Sequence, residues 1–227
     1  MDMKSFVVIP AWNEAPQIQY VVEAARQADP NLFYTDHVLV VDNNSTDHTA
    51  DLAADAGAVV LHRERQGKGW AMETGVNEVR KHGGRVVTFL DGDLIGLTPE
   101  HVISLAKPVL AGEAIMNIGY LGGRKALAKV VLKRWGAFSG QRTISLPDIW
   151  AHMQPSDLTM WRAEGAMNAV CRNIGKGALI HRVELDDLKH IGKRNKETNT
   201  FRAIQSYSQT YASALFGLMS QSGAEQK

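Results

Sequence analysis

The chain predicts an α/β fold, with a mostly parallel sheet flanked by helices on both faces. Two observations carry this. Within the first 120 residues, short apolar β-prone runs alternate with helical stretches four times, the pattern of a parallel sheet with covering helices. Three of the apolar runs end at Pro10, Asp42 and Asp91. With right-handed crossovers those ends lie along one edge of one sheet, where open α/β folds bind ligands.

Each element has a local reason. Residues 5–9 read as a strand that Pro10 ends, because proline cannot donate to the ladder. Pro16 opens a helix to residue 27, with Ile18, Val21, Val22 and Ala25 as its apolar stripe. A second strand, 37–41, closes at Asp42, and Asn43-Asn44 turns the chain. Ser45 caps a helix to residue 56, with Asp47 in its first turn and Gly57 as its stop. Residues 58–61 form a third strand, and a charged loop leads to a helix over 69–81. Gly83-Gly84 precedes the fourth strand, which runs into Asp91-Gly92-Asp93. Thr98-Pro99-Glu100 combines cap, proline and acid, and starts a helix to residue 110. Residues 114–120 make a fifth strand.

The second half carries weaker signals. Residues 124–135 read as a helix with Lys125, Lys129 and Lys133 at four-residue spacing, whose plain reading is a solvated face. Ser139-Gly140-Gln141-Arg142 reads as a turn, 160–174 as a helix and 178–185 as a strand. Phe201, Ile204, Tyr207, Tyr211, Ala214 and Leu218 recur at helical spacing and predict a C-terminal amphipathic helix.

Composition bounds the function. The chain has 227 residues, 44% hydrophobic and 22% charged, with a net charge of +1. That is ordinary globular composition and gives no electrostatic case for nucleic acid. Cys171 is the sole cysteine, which excludes an intrachain disulfide and suits a reducing cytoplasm. No signal-peptide pattern opens the chain, and no run of about 18 apolar residues predicts a transmembrane segment.

Asp91 and Asp93 share a side if their strand continues through them. Two nearby oxygen ligands suit a hard cation such as Mg²⁺ or Mn²⁺, which would bind a diphosphate. The plain alternative is a turn, for which Asp-Gly is a common dipeptide.

Four segments together resemble the family-2 nucleotide-sugar glycosyltransferases, which adopt the GT-A (Rossmann-like) fold. They are residues 7–14 (VVIPAWNE), 40–47 (VVDNNSTD), Gly67-Lys68-Gly69 and Asp91-Gly92-Asp93. Gly122-Gly123-Arg124, Leu94-Ile95, Ser139 to Arg142, and His190 with Lys193 and Lys196 are similar to the glucosyl-3-phosphoglycerate synthase branch. That branch's Gly-Tyr-Gly-x-Glu segment is replaced here by Met160-Trp161-Arg162-Ala163-Glu164.

The resemblance implies a single GT-A domain, with residues 1–120 as the nucleotide-sugar half and 121–227 as the acceptor-side half. Pro10, Ala11, Glu14, Asp42, Lys68, Gly69, Asp91 and Gly92 would bind the nucleotide sugar, UDP- or GDP-linked. Asp93 and His190 would hold Mg²⁺ or Mn²⁺. Asp93, Lys68 and Glu164 would be catalytic, with Asp157 the other candidate base. Arg124, Gly140, Gln141 and Arg142 would bind a phosphorylated acceptor. The implied activity is metal-dependent transfer of a hexose, most simply glucose, in the cytoplasm. Rival readings are a polyprenyl-phosphate transferase peripheral to the membrane and a non-catalytic nucleotide-sugar-binding module. A sugar nucleotidyltransferase would need a glycine-rich loop after strand one, where this chain has Pro10 to Glu14. A homodimer is left open.

Overall fold

The computed structural model describes residues 4–64, 67–121, 139–159, 162–174 and 180–191. The expected helices over 124–135 (with Arg124) and 201–218 lie outside these residues, as do Lys193 and Lys196.

The sequence alternation builds a seven-stranded sheet in the order β3-β2-β1-β4-β7-β6-β8. Its strands are β1 (Ser5–Ala11), β2 (Phe33–Asp42), β3 (Val59–His62), β4 (Val86–Phe89), β6 (Met116–Leu121), β7 (Arg142–Ser145) and β8 (Ile180–Leu185). A separate ribbon pairs β5 (Leu94–Ile95) with β9 (Lys189–His190). The helices are α1 (Ile18–Arg26), α2 (Thr49–Asp55), α3 (Lys68–Lys81), α4 (Pro99–Leu110) and α5 (Ala163–Asn173). Within the seven-stranded sheet every ladder is parallel except the two that β7 makes, with β4 and with β6; the β5–β9 ribbon is antiparallel.

Strand periodicity sorts the core into two layers. Val7, Ile9 and Ala11 of β1 pack with Val38 and Val40 of β2 and with α1 and α4. Phe6 and Val8 face the other way, onto Leu39, Val41 and the Ala71, Met72, Val76 and Val79 face of α3. A sheet covered on both faces needs continuous apolar runs, as the sequence shows. One polar row crosses it: the hydroxyls of Ser5 and Thr88 lie 3.2 Å apart, and those of Thr88 and Thr143 2.8 Å apart. They satisfy one another within the core and bridge β1, β4 and β7.

Several expectations need correction. Pro10 does not end β1, which continues to Ala11. The β1–β4 pairing stops at Val8↔Phe89, whereas β2 stays paired through Pro10↔Val41 and Ala11↔Asp42. Strand β2 starts earlier than expected, at Phe33. Ser45 does not cap α2, whose first residue is Thr49. Its hydroxyl instead accepts from the Asn13 N–H at 3.0 Å. Thr46 N–H donates to Asn13 Oδ1 at 2.8 Å, Glu14 N–H to Thr49 Oγ1 at 2.8 Å and Ala15 N–H to Asp47 Oδ2 at 3.2 Å. The β1–α1 and β2–α2 loops are thereby clasped to each other. Helix α5 begins at Ala163, later than residue 160.

His37 is buried on β2 against Phe33, with Nε2 3.1 Å from the Ala25 carbonyl, to which it donates. Burial lowers its pKa below 6.5, against a raising effect of backbone hydrogen bonds. The uncharged ring is therefore the folded form. Its contribution is complete above the unfolded value of 6.5 and is lost as pH falls through 6.5 toward the folded value. Urea midpoints at pH 7.5 and 5.5 should fall more steeply for the wild type than for His37→Phe; parallel behaviour would exclude this linkage.

Candidate active site

The C-terminal edge of the sheet assembles the site from seven segments. Strand β1 ends in Pro10 and Ala11, and Ala11 is in register with Asp42 at the end of β2. Asp42 is buried; its Oδ1 accepts from Ser45 N–H at 3.3 Å, and its Oδ2 lies 3.4 Å from His62 Nδ1. Glu14 packs against the Asp91–Asp93 turn, where a Cβ on Gly92 would come within 3.0 Å of its Cγ.

Lys68, the first residue of α3, lies at the centre. Its Nζ is 2.7 Å from Asp91 Oδ1 and 2.7 Å from Glu164 Oε1. Burial acts to lower the ammonium's pKa, but Asp91 and Glu164 more than reverse this and hold it above the usual lysine value. Burial likewise acts to raise Asp91. Lys68, His190 and the hydrogen bond from Gln141 outweigh it and hold the carboxyl far below the ordinary range. Gly69 closes the packing behind Lys68, because a Cβ there would sit 2.4 Å from the Leu158 carbonyl oxygen.

Strand β4 ends at Phe89, so the two aspartates do not share a side as alternate strand residues. They stand in a turn, and convergence comes from the β5–β9 ribbon. Leu94 pairs with His190, and Ile191 N–H donates to the Asp93 carbonyl at 3.1 Å. This brings His190 Nδ1 to 2.9 Å from Asp93 Oδ1 and Nε2 to 3.8 Å from Asp91 Oδ2. Burial acts to lower the His190 pKa, but the bond to Asp93 and the two aspartate charges leave it raised. Ligand atoms of Asp91, Asp93 and His190 all lie within 4.8 Å of one another. Two carboxylates and an imidazole at that spacing fit a divalent cation such as Mn²⁺ or Mg²⁺.

The acceptor-side expectations fare differently. Arg142 is fully buried, and it does not present a clamp to a ligand. Its Nε and an Nη donate to the Ser139 carbonyl at 3.1 and 2.6 Å. The other Nη donates to the Glu164 carbonyl at 3.1 Å and to Asn168 Oδ1 at 3.3 Å. Gln141 is also fully buried, and its amide donates to Asp91 Oδ2 at 2.7 Å. Both residues therefore face inward, because Arg142 begins a central strand and is no loop residue. Asp157 accepts from Gln154 N–H at 2.8 Å and closes the turn at Pro155–Leu158. Glu164 stands in the first turn of α5, where a carboxylate is favoured, with Lys68 against it.

The sequence did not single out Asn168, which holds Arg142, nor did it show that Ser139 holds Gln141 or that Asn13, Ser45, Asp47 and Thr49 form a clasp. Short polar side chains directly after two strand ends were the readable sign of the clasp.

Gly140 has no room for a side chain: a Cβ would lie 2.3 Å from both Asp91 carboxylate oxygens. Gly140→Ala should cost about 1–3 kcal/mol of stability, read as a lower urea midpoint. An unchanged midpoint would show that the turn yields freely.

Three comparisons bear on this arrangement. Glucosyl-3-phosphoglycerate synthase of Mycobacterium tuberculosis is 36% identical over 120 residues, covering 49% of this chain and 36% of that protein. Glycosyltransferase AglJ of Haloferax volcanii is 37% identical over 87 residues, 38% of this chain and 26% of that one. The alignments thus span 36% and 26% of these relatives' length. The crystal structure of the M. tuberculosis synthase with Mn²⁺, UDP-glucose and phosphoglyceric acid superposes with a TM-score of 0.73. Its identity is 24%, with 95% of this chain and 79% of that one covered. This neighbour establishes the GT-A-like fold. The model of Glycosyl transferase family 2 matches residues 6–162, well over half of the chain, and the chain belongs to that family.

Proposed function

We propose that the protein transfers a hexose, glucose by preference, from a nucleoside diphosphate sugar to a small phosphorylated acceptor, with Mn²⁺ or Mg²⁺ as cofactor. The observation that carries this reading is the convergence of Asp91, Asp93 and His190 beside the part-buried Lys68 ammonium. The relatives support the choice of substrates, since the structural neighbour was solved with UDP-glucose, Mn²⁺ and phosphoglyceric acid.

The residues then divide the work. Pro10 and Ala11 border the nucleoside, Asp42 accepts from a base N–H, and Glu14 accepts from a ribose hydroxyl beside Gly92. Asp93 and His190 would hold the cation, which when bound would supply Lewis-acid neutralisation of the leaving diphosphate. Lys68 places a fixed positive charge against the same diphosphate, and the α3 N–H groups around Gly69 add to it. Asp91 fixes Lys68 from one side. Glu164 fixes it from the other, which assigns that carboxylate to positioning Lys68 ahead of the proton-accepting role that family resemblance implies. Residues 1–120 supply most of the donor side, with Gln141 and His190 reaching back to it from the second half. Arg124 belongs to the acceptor side in this reading.

No helix among the described residues is long and apolar enough to cross a membrane. The polyprenyl-phosphate alternative gains nothing from the structure.

The test is thermal stability with a panel of nucleoside diphosphate sugars, with and without Mn²⁺. A donor at 100 times its Kd adds about 2.7 kcal/mol, or roughly 5–10 °C for a domain of this size. UDP-glucose with Mn²⁺ should give such a shift, and Asp93→Ala and His190→Ala should abolish its metal-dependent part. Turnover of UDP-glucose with 3-phosphoglycerate should disappear in the same variants. A flat response to every donor, or full metal-dependent turnover in Asp93→Ala, would overturn the assignment.

A further inference from the structure

Gln141 stands at the junction of the two halves, and its surroundings specify which way its amide points. The shape of a glutamine amide leaves oxygen and nitrogen interchangeable. Here both neighbours decide. Ser139 Oγ accepts from the Gln141 backbone N–H at 3.3 Å, so its own proton is directed at Gln141 Oε1, 2.7 Å away. On the far side stands the Asp91 carboxylate, an acceptor only, with Oδ2 2.7 Å from Nε2. The chain of donation therefore runs in one direction, from Ser139 to Gln141 to Asp91. Lys68 meets Asp91 from the opposite end through Oδ1, at 2.7 Å.

The turn that carries this chain is itself held. Arg142 grips the Ser139 carbonyl with two nitrogens, at 3.1 and 2.6 Å, and the β4–β7 register sets Arg142 opposite Phe89. Gly140 lies flat against Asp91.

We propose that Gln141 is a positioning residue for the sugar-nucleotide donor. By occupying Asp91 Oδ2 it confines Lys68 to Oδ1 and so aims the ammonium at the donor diphosphate. This rests on the donor-site reading given above. Without the amide, Asp91 Oδ2 loses its donor, the carboxylate is free to rotate about its own bond, and Lys68 is no longer held to Oδ1.

The experiment is calorimetric titration of the Mn²⁺-loaded protein with UDP-glucose, together with initial rates against 3-phosphoglycerate. Gln141→Leu keeps the bulk and removes the amide; it should weaken donor binding more than ten-fold, as expected for a hydrogen bond to a charged group. Ser139→Ala frees the amide to rotate without changing Gln141, and should weaken donor binding roughly five-fold. Ser139→Thr keeps the hydroxyl and should bind more tightly than Ser139→Ala. The KM for the acceptor should not move in any of them. A raised acceptor KM with unchanged donor affinity would overturn the proposal and return Gln141 to the acceptor side. Donor affinity unchanged throughout would overturn it as well. If Gln141→Leu does not fold, the Ser139 pair decides. A wild type that binds no nucleoside diphosphate sugar would instead overturn the donor-site reading, and the proposal with it.

Discussion

The part-buried contact between Lys68 and Asp91 is the constraint around which the rest of the molecule is arranged. Removing two such charges from water is costly, and the cost is recovered only where geometry and further hydrogen bonds are good. Here each partner has a second neighbour: Glu164 for the lysine, Gln141 for the aspartate. Arg142 adds a second buried cation behind Glu164. The four charged side chains (Lys68, Arg142, Asp91 and Glu164) balance. The contact is thus better understood as fixing one arrangement of α3, the β4 end and α5 than as a source of net stability.

Delivering those groups to one place depends on strand direction. Parallel strands bring their C-terminal ends to the ligand edge, which accounts for Pro10, Asp42 and the Asp91–Asp93 turn. Strand β7 runs the other way between β4 and β6, so it arrives at the same edge with its first residues. That reversal is why residues 139–141, distant in sequence, lie against Asp91. The β5–β9 ribbon solves the corresponding problem for His190 with a two-residue ladder.

The first half of the fold was legible because its strands obey one rule repeatedly: an apolar run, a polar stop, a helix. The rule failed where local chemistry and tertiary setting disagree. Pro10 reads as a terminator, yet β1 runs on to Ala11 through its pairing with β2 after the β4 ladder has stopped at Val8. Strand β7 was hidden because Arg142-Thr143-Ile144-Ser145 is short and opens with a charge, which signals exposure in sequence and here is fully buried. Gln141 beside glycine looks like a solvent-facing loop residue for the same reason. The candidate metal group was half visible: the Asp91-Gly92-Asp93 pair stands out unaided, whereas His190, 97 residues beyond Asp93, came to notice through family likeness. No periodicity could have placed it.

The clasp between the β1–α1 and β2–α2 loops has a thermodynamic consequence. Asn13, Glu14 and Ala15 are tied to Ser45, Thr46, Asp47 and Thr49 by the protein's own bonds. Both loops therefore lose their conformational entropy when the chain folds. In the proposed donor site, a nucleoside bordering these loops would meet walls already set, and the ordering cost that usually weakens association would be small there. Discrimination among bases would then rest on rigid fit at this rim.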